Sequence, residues 1–147
     1  MSKANLKSFW QPVSHSAGAS VALLVLRLIA GIAFIHHGWG KIQTPFAWAG
    51  PESNIPGFFQ LLAAISEFGG GFAWAFGFLT PLFSFGLLCT MSVAVHMHMI
   101  VRHDPFVNLK GGLSYEPALV YWGIAVLLLV LGPGFISLDR IMFGKRK

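Results

Sequence analysis

The chain has 147 residues, of which 55% are hydrophobic, 14% aromatic and only 10% charged. Soluble domains carry about 25% charged residues, so an ordinary solvated surface cannot be built here. Intrinsic disorder is excluded as well, because it needs few apolar residues and many charges. A single cysteine rules out an internal disulfide scaffold. The net charge of +5 comes without a basic, aromatic-interleaved cluster in a polar setting, which argues against nucleic acid as a partner.

A bilayer crossing needs about 20 mainly apolar residues. Four stretches meet this, at 20–42, 58–79, 82–101 and 118–138. They use most of the chain, so the expected fold is all-α, one integral-membrane domain (1–147) folded as a four-helix transmembrane bundle. The first stretch exceeds the 7–15 apolar residues of a signal peptide and reads as a retained helix. Thr80-Pro81 breaks the chain between stretches two and three, giving a tight hairpin. The linkers Thr44–Gly57 and His103–Pro117 are rich in Pro and Gly and read as irregular loops. Gly132-Pro133-Gly134 predicts a kink or an end in the fourth helix.

Cationic residues set the predicted orientation. Lys3, Lys7, Arg140, Lys145, Arg146 and Lys147 flank the termini, against Lys41, Arg102 and Lys110 on the opposite side. Both termini are therefore expected on the cytoplasmic side of the membrane.

An ionisable group inside the hydrocarbon is costly and is a functional candidate by default. Counting about 1.5 Å per residue from the cytoplasmic end puts Arg27 roughly 10 Å deep and Glu67 roughly 18 Å. His36, His37, His96 and His98 fall at roughly 21–24 Å, with Tyr121 and Trp122 at similar depth. Helical angles favour His37 over His36 as the inward residue, and His37 and Lys41 are neighbours at i and i+4. In the second stretch Ala63, Glu67 and Gly71 share a narrow face. In the third, Cys89, Ser92, His96, Met99 and His103 form one stripe and Met91, His98 and Arg102 another, and either can face inward.

Three chemistries suit this layer. One is a structural polar network, with Glu67 neutralising Arg27 or Lys41. Another is a redox small-molecule site, such as a quinone head group held by histidine, lysine and aromatic side chains. The third is a metal or haem site, for which His96, Met99 and His103 are the weak ligand set, because His96 and His98 diverge by about 160° on a helix. Cys89 has no CxxC partner.

The chain resembles the DoxX family of small four-helix membrane proteins. The resemblance rests on LRLIAGIAFIHHGWGKI, on EFGGGFAWAFGFLTP, on Ala94 and His96, and on GGLSYEP and GPGFISLD. It implies a membrane partner in quinone-linked redox chemistry, some members being tied to thiosulfate:quinone oxidoreductases and others to thiol or oxidative stress complexes. On that basis Glu67, His37 and Lys41 are the expected reacting set. Arg27, His96, Glu116, Tyr121 and Trp122 would complete a polar pocket opening outward. A quinone is the expected cofactor, and the bilayer, an oxidoreductase subunit and a further copy of the chain are the expected partners. The alternatives are a non-enzymatic assembly subunit and a small dimeric transporter.

Overall fold

A computed structural model describes residues 10–144. Lys3, Lys7, Lys145, Arg146 and Lys147, used above for orientation, lie outside the described residues. Every regular element among the described residues is helical.

Helix α1 spans Ala17–Gln43 and starts where the Ser16 hydroxyl accepts a bond from the Ala19 N–H at 3.2 Å. A second rod is made of α2 (Gly57–Ala64), a π-turn (Ile65–Gly69) and α3 (Gly70–Phe76). Gly77 ends it in the left-handed conformation, φ 65°. Helix α4 (Thr80–His96) follows with Pro81 in its first turn, where a missing N–H costs nothing, and runs into a second π-turn (Met97–Val101). Helix α5 covers Glu116–Leu131 and a short α6 covers Leu138–Phe143.

The fourth helix is therefore shorter than the expected 118–138. It starts two residues earlier and stops at Leu131, because Gly132 takes φ 72° and Pro133 cannot continue the ladder. Ala17–Gln43 and Thr80–Val101 are long and apolar enough to cross a membrane, and α5 is a shorter apolar helix.

Packing runs through small residues. A Cβ on Gly31 would lie 2.6 Å from the Gly71 carbonyl oxygen, and one on Gly38 would lie 2.4 Å from the Phe68 nitrogen. The α1 and α3 backbones thus touch directly, as membrane helices do where glycine opens a seam. Helix α5 packs against α4 along its length. It reaches α1 through rings, with Phe34 and Tyr121 centroids 4.8 Å apart. The core is Leu23, Ala30, Phe34, Trp74, Leu87, Met91, Ala125 and Leu128. Around it, Ile29, Phe85 and Val130 are each more than half exposed. An apolar exterior of this extent is an aggregation liability in water and a requirement in lipid.

Met91, Leu87 and Ser84 are buried while Cys89, Ser92 and His96 are exposed. The stripe of α4 that faces the bundle is thus the one containing Met91. On the second rod Glu67 and Gly71 are buried, as the narrow face requires, but Ala64 joins them rather than Ala63.

Candidate functional site

Two polar clusters occupy opposite ends of the helices. At the loop end, Lys41 Nζ lies 2.5 Å from Glu67 Oε1. The Glu67 side chain is 2% exposed and that of Lys41 25%. Glu67 sits in the Ile65–Gly69 π-turn, the kind of local widening that recurs at functional sites. The Trp48 ring covers the Lys41 ammonium with 4.4 Å to its centroid, a cation–π contact.

Trp48 is held in turn. Its Nε1–H donates to the Gln60 backbone carbonyl at 2.8 Å. The buried Gln60 side chain accepts from Ala49 N–H at 2.9 Å and donates to the Ile55 carbonyl at 2.8 Å. The loop 44–56 is thereby folded over the ion pair. Trp48 and Gln60 had no signal in hydropathy or periodicity. Their position follows only from the closure of this loop.

One turn below Lys41, His37 lies against Phe34 and Tyr121, at centroid distances of 6.3 and 6.0 Å. Phe34 also meets Trp74 edge-on at 5.4 Å, and the Trp74 Nε1–H donates to Ser84 Oγ at 3.0 Å. The structure thus brings together Lys41 and Glu67, and separately His37 and Tyr121, on the same stretch of α1.

The other expected site residues stand elsewhere. Arg27 is fully buried toward the opposite end, fourteen residues and roughly 21 Å down α1 from Lys41. Its Nη2 donates to the Ile136 carbonyl at 2.8 Å, a backbone acceptor that no charge pattern announces. His96 is exposed. Trp122 turns outward and donates to Ser92 Oγ at 3.0 Å. Glu116 opens α5, and among the described residues no ion pair joins it to Lys41. The stripe His96–Met99–His103 is interrupted, because the helix ends before His103, which takes φ 56°. No three metal-ligating His, Cys, Asp or Glu side chains converge among the described residues. His98 Nδ1 instead lies 2.7 Å from Asp104 Oδ2.

The second cluster surrounds Asp139. Its carboxylate accepts from Leu79 N–H at 2.6 Å and Thr80 N–H at 2.9 Å, capping the start of α4 from a segment sixty residues away. The Asp139 N–H donates back to the Gly77 carbonyl at 2.8 Å. Burial raises the Asp139 carboxyl above its ordinary value, and the Thr80 and Leu79 donors and the Arg27 charge oppose that. Leu79 is held at φ 44°, a strained angle for a residue with a Cβ, by this same capping.

Two surface recesses lie away from the ion pair. One is bounded by Trp10, Pro12, Pro81 and Pro133, the other by Phe72, Phe76, Phe83 and Leu138.

Comparison with known proteins matches the sequence to a family. No solved structure gives a significant match. "Inner membrane protein YqjF" of Escherichia coli (strain K12) is 36% identical over 130 residues, covering 83% of this chain and 92% of that protein. The DoxX profile matches residues 22–102, from α1 through the second π-turn, a stretch that holds both Lys41 and Glu67. On this coverage, the chain belongs to the DoxX family.

Proposed function

We propose that this chain is the membrane subunit of a quinone-linked oxidoreductase in the bacterial inner membrane. In this reading it is a four-helix transmembrane bundle with both termini cytoplasmic. The observation that carries the reading is the Lys41–Glu67 pair, a buried carboxylate holding a partly exposed ammonium beneath an indole ring. A relative named as an inner membrane protein supports the location.

The residues present fit a quinone. Lys41 has three donors and Glu67 engages one, leaving N–H groups for a carbonyl oxygen. The Trp48 ring over that ammonium supports the reading, since it shows this cation already partnered by an aromatic face. A bound quinone would supply electron acceptance coupled to proton uptake. Glu67 holds the Lys41 ammonium in place through the ion pair, and His37 adds an imidazole one turn away. Glu67 is also placed to hold or release a proton at Oε1, as intramembrane carboxylates do.

Titration of purified protein with a short-chain benzoquinone tests this. Lys41→Met, Glu67→Gln and His37→Ala should each weaken binding by roughly ten-fold or more, about 1.4 kcal/mol. Unchanged affinity in all three removes the site. A second reading, a non-enzymatic assembly subunit, is favoured by the Lys41–Glu67 pair being satisfied within the chain. It predicts no quinone affinity and stable retention of a partner through the exposed helix faces.

A further inference from the structure

We propose that Trp48 is a displaceable plug: its indole holds the seat on the Lys41 ammonium that the ring of a planar, carbonyl-bearing ligand takes, and Gln60 latches the cap that carries it. With Lys41 and Glu67 read as a quinone site, on which this rests, Trp48 is the element that closes the site and must leave for it to open.

The cap is self-contained. It is a run of linked turns, in which Ala47 N–H donates to the Thr44 carbonyl at 3.0 Å, Gly50 N–H to the Ala47 carbonyl at 3.2 Å and Ser53 N–H to the Gly50 carbonyl at 3.2 Å. Gly50 takes φ 86°, which carries the chain from one turn into the next. Among the described residues, every hydrogen bond of segment 45–56 ends within 44–60.

Gln60 fastens the cap to the second rod. It is 4% exposed, and both ends of its amide are spent on the cap, on the Ala49 N–H and the Ile55 carbonyl, while its backbone carbonyl takes the Trp48 Nε1–H. Gln60 lies in α2, on the rod that carries Glu67, whereas Lys41 lies in the last turn of α1. The cap is thus latched to one rod and lays the Trp48 ring face on the ammonium of the other.

That contact suits exchange. Lys41 offers three N–H donors, of which Glu67 engages one. A ring face attracts the ammonium only through its quadrupole, and a carbonyl oxygen is the better acceptor from a charged donor. Trp48 and Lys41 are both partly exposed, so water can take over the Nε1–H and the Gln60 carbonyl when they part. Glu67, 2% exposed, has no such freedom, so the movable partner of Lys41 is Trp48. A ligand with a flat ring and a carbonyl oxygen replaces what the indole gives and adds the hydrogen bond that the indole lacks.

The test uses the full chain in detergent. Labelling of Lys41 by a small acylating reagent is read by peptide mass spectrometry, with the exposed Lys110 as internal reference. Relative to Lys110, Lys41 should label about five-fold faster in Trp48→Leu than in wild type. Trp48→Phe, which keeps a ring but loses the bond to Gln60, and Gln60→Leu, which loosens the cap, should fall between. Trp48→Leu should also bind a short-chain benzoquinone about five-fold more tightly than wild type does, because nothing has to be displaced. Wild-type labelling rates in both Trp48 variants overturn the plug, and a wild-type rate in Gln60→Leu overturns the latch. Quinone binding that is unchanged or weaker in Trp48→Leu also overturns the plug, making Trp48 a wall of the site, and leaves the quinone reading standing. Faster labelling with no quinone bound by any form keeps the plug over Lys41 and removes quinone as its ligand.

Discussion

Replacing Lys41 with Met and Glu67 with Gln should destabilise the protein unequally, and the inequality can be worked out from exposure. Glu67 is 2% exposed and Lys41 25%. Lys41→Met leaves a carboxylate enclosed without its counter-ion, a change that typically costs about 3–5 kcal/mol. Glu67→Gln leaves an ammonium that water reaches and that Trp48 still covers, at a cost of about 1 kcal/mol, the loss of a charge-assisted bond discounted for solvent. Lys41→Met/Glu67→Gln removes both charges and should return to within about 1 kcal/mol of wild type, because no uncompensated charge is left enclosed. The coupling between the two sites is then about 3–5 kcal/mol. Unfolding in mixed detergent–SDS micelles, followed by helical circular dichroism, gives these values. Equal losses in the two single variants, or an additive double variant, would refute the reasoning. The double variant also separates the functional readings: a folded protein that no longer binds quinone assigns Lys41 and Glu67 a role beyond holding the helices together.

Four further outcomes are expected. Gly38→Ala should lose about 1–3 kcal/mol in the same assay, since its Cβ would meet Phe68 backbone atoms that cannot rotate away, whereas Gly123→Ala, with open space around it, should be neutral or better. Asp139→Ala strands two buried donors and the Arg27 charge and should cost at least about 3 kcal/mol, with Asp139→Asn milder because one acceptor survives. Ser84→Ala leaves the buried Trp74 Nε1–H unpaired, for a loss of about 1–3 kcal/mol. Gln60→Leu deletes two loop bonds, and hydrogen exchange at Ala49 should accelerate while exchange in α1 stays unchanged.

What was legible in the sequence follows from what local chemistry determines. Thr80-Pro81 and Gly132-Pro133 mark helix limits because a missing N–H acts within one turn, whereas the start of α1 at Ala17, set by the Ser16 cap, lies three residues before the expected 20. The Lys41–Glu67 pair was one of two pairings open to Glu67, and periodicity had no means of excluding Arg27. Arg27 donates to the Ile136 carbonyl and lies within the influence of the Asp139 charge, both more than 100 residues away and reached only once the segment after α5 folds back, while its Nε and Nη1 have no hydrogen-bond partner among the described residues. The inward face of α4 was likewise open, because its two stripes carry similar residues. Packing against α5 selects Met91 and leaves His96 outside. Neither π-turn has a recognisable sequence signature, so a regular 100° per residue put Ala63 where Ala64 stands.

The Ile65–Gly69 π-turn has a consequence for how the chain can change in length. A π-turn is an α-helix with one residue too many, bulged out while the flanking turns keep their register. Deleting a residue there would restore ordinary winding and still leave Gln60 under the loop and Trp74 against Phe34. The same deletion in α1 would rotate Lys41 about 100° away from its partner. The rod therefore tolerates a single-residue gap at one place, and that place holds Glu67. In an alignment of DoxX chains, a one-residue offset at this turn marks the gain or loss of the bulge that presents the carboxylate, with the seam between α1 and α3 left intact.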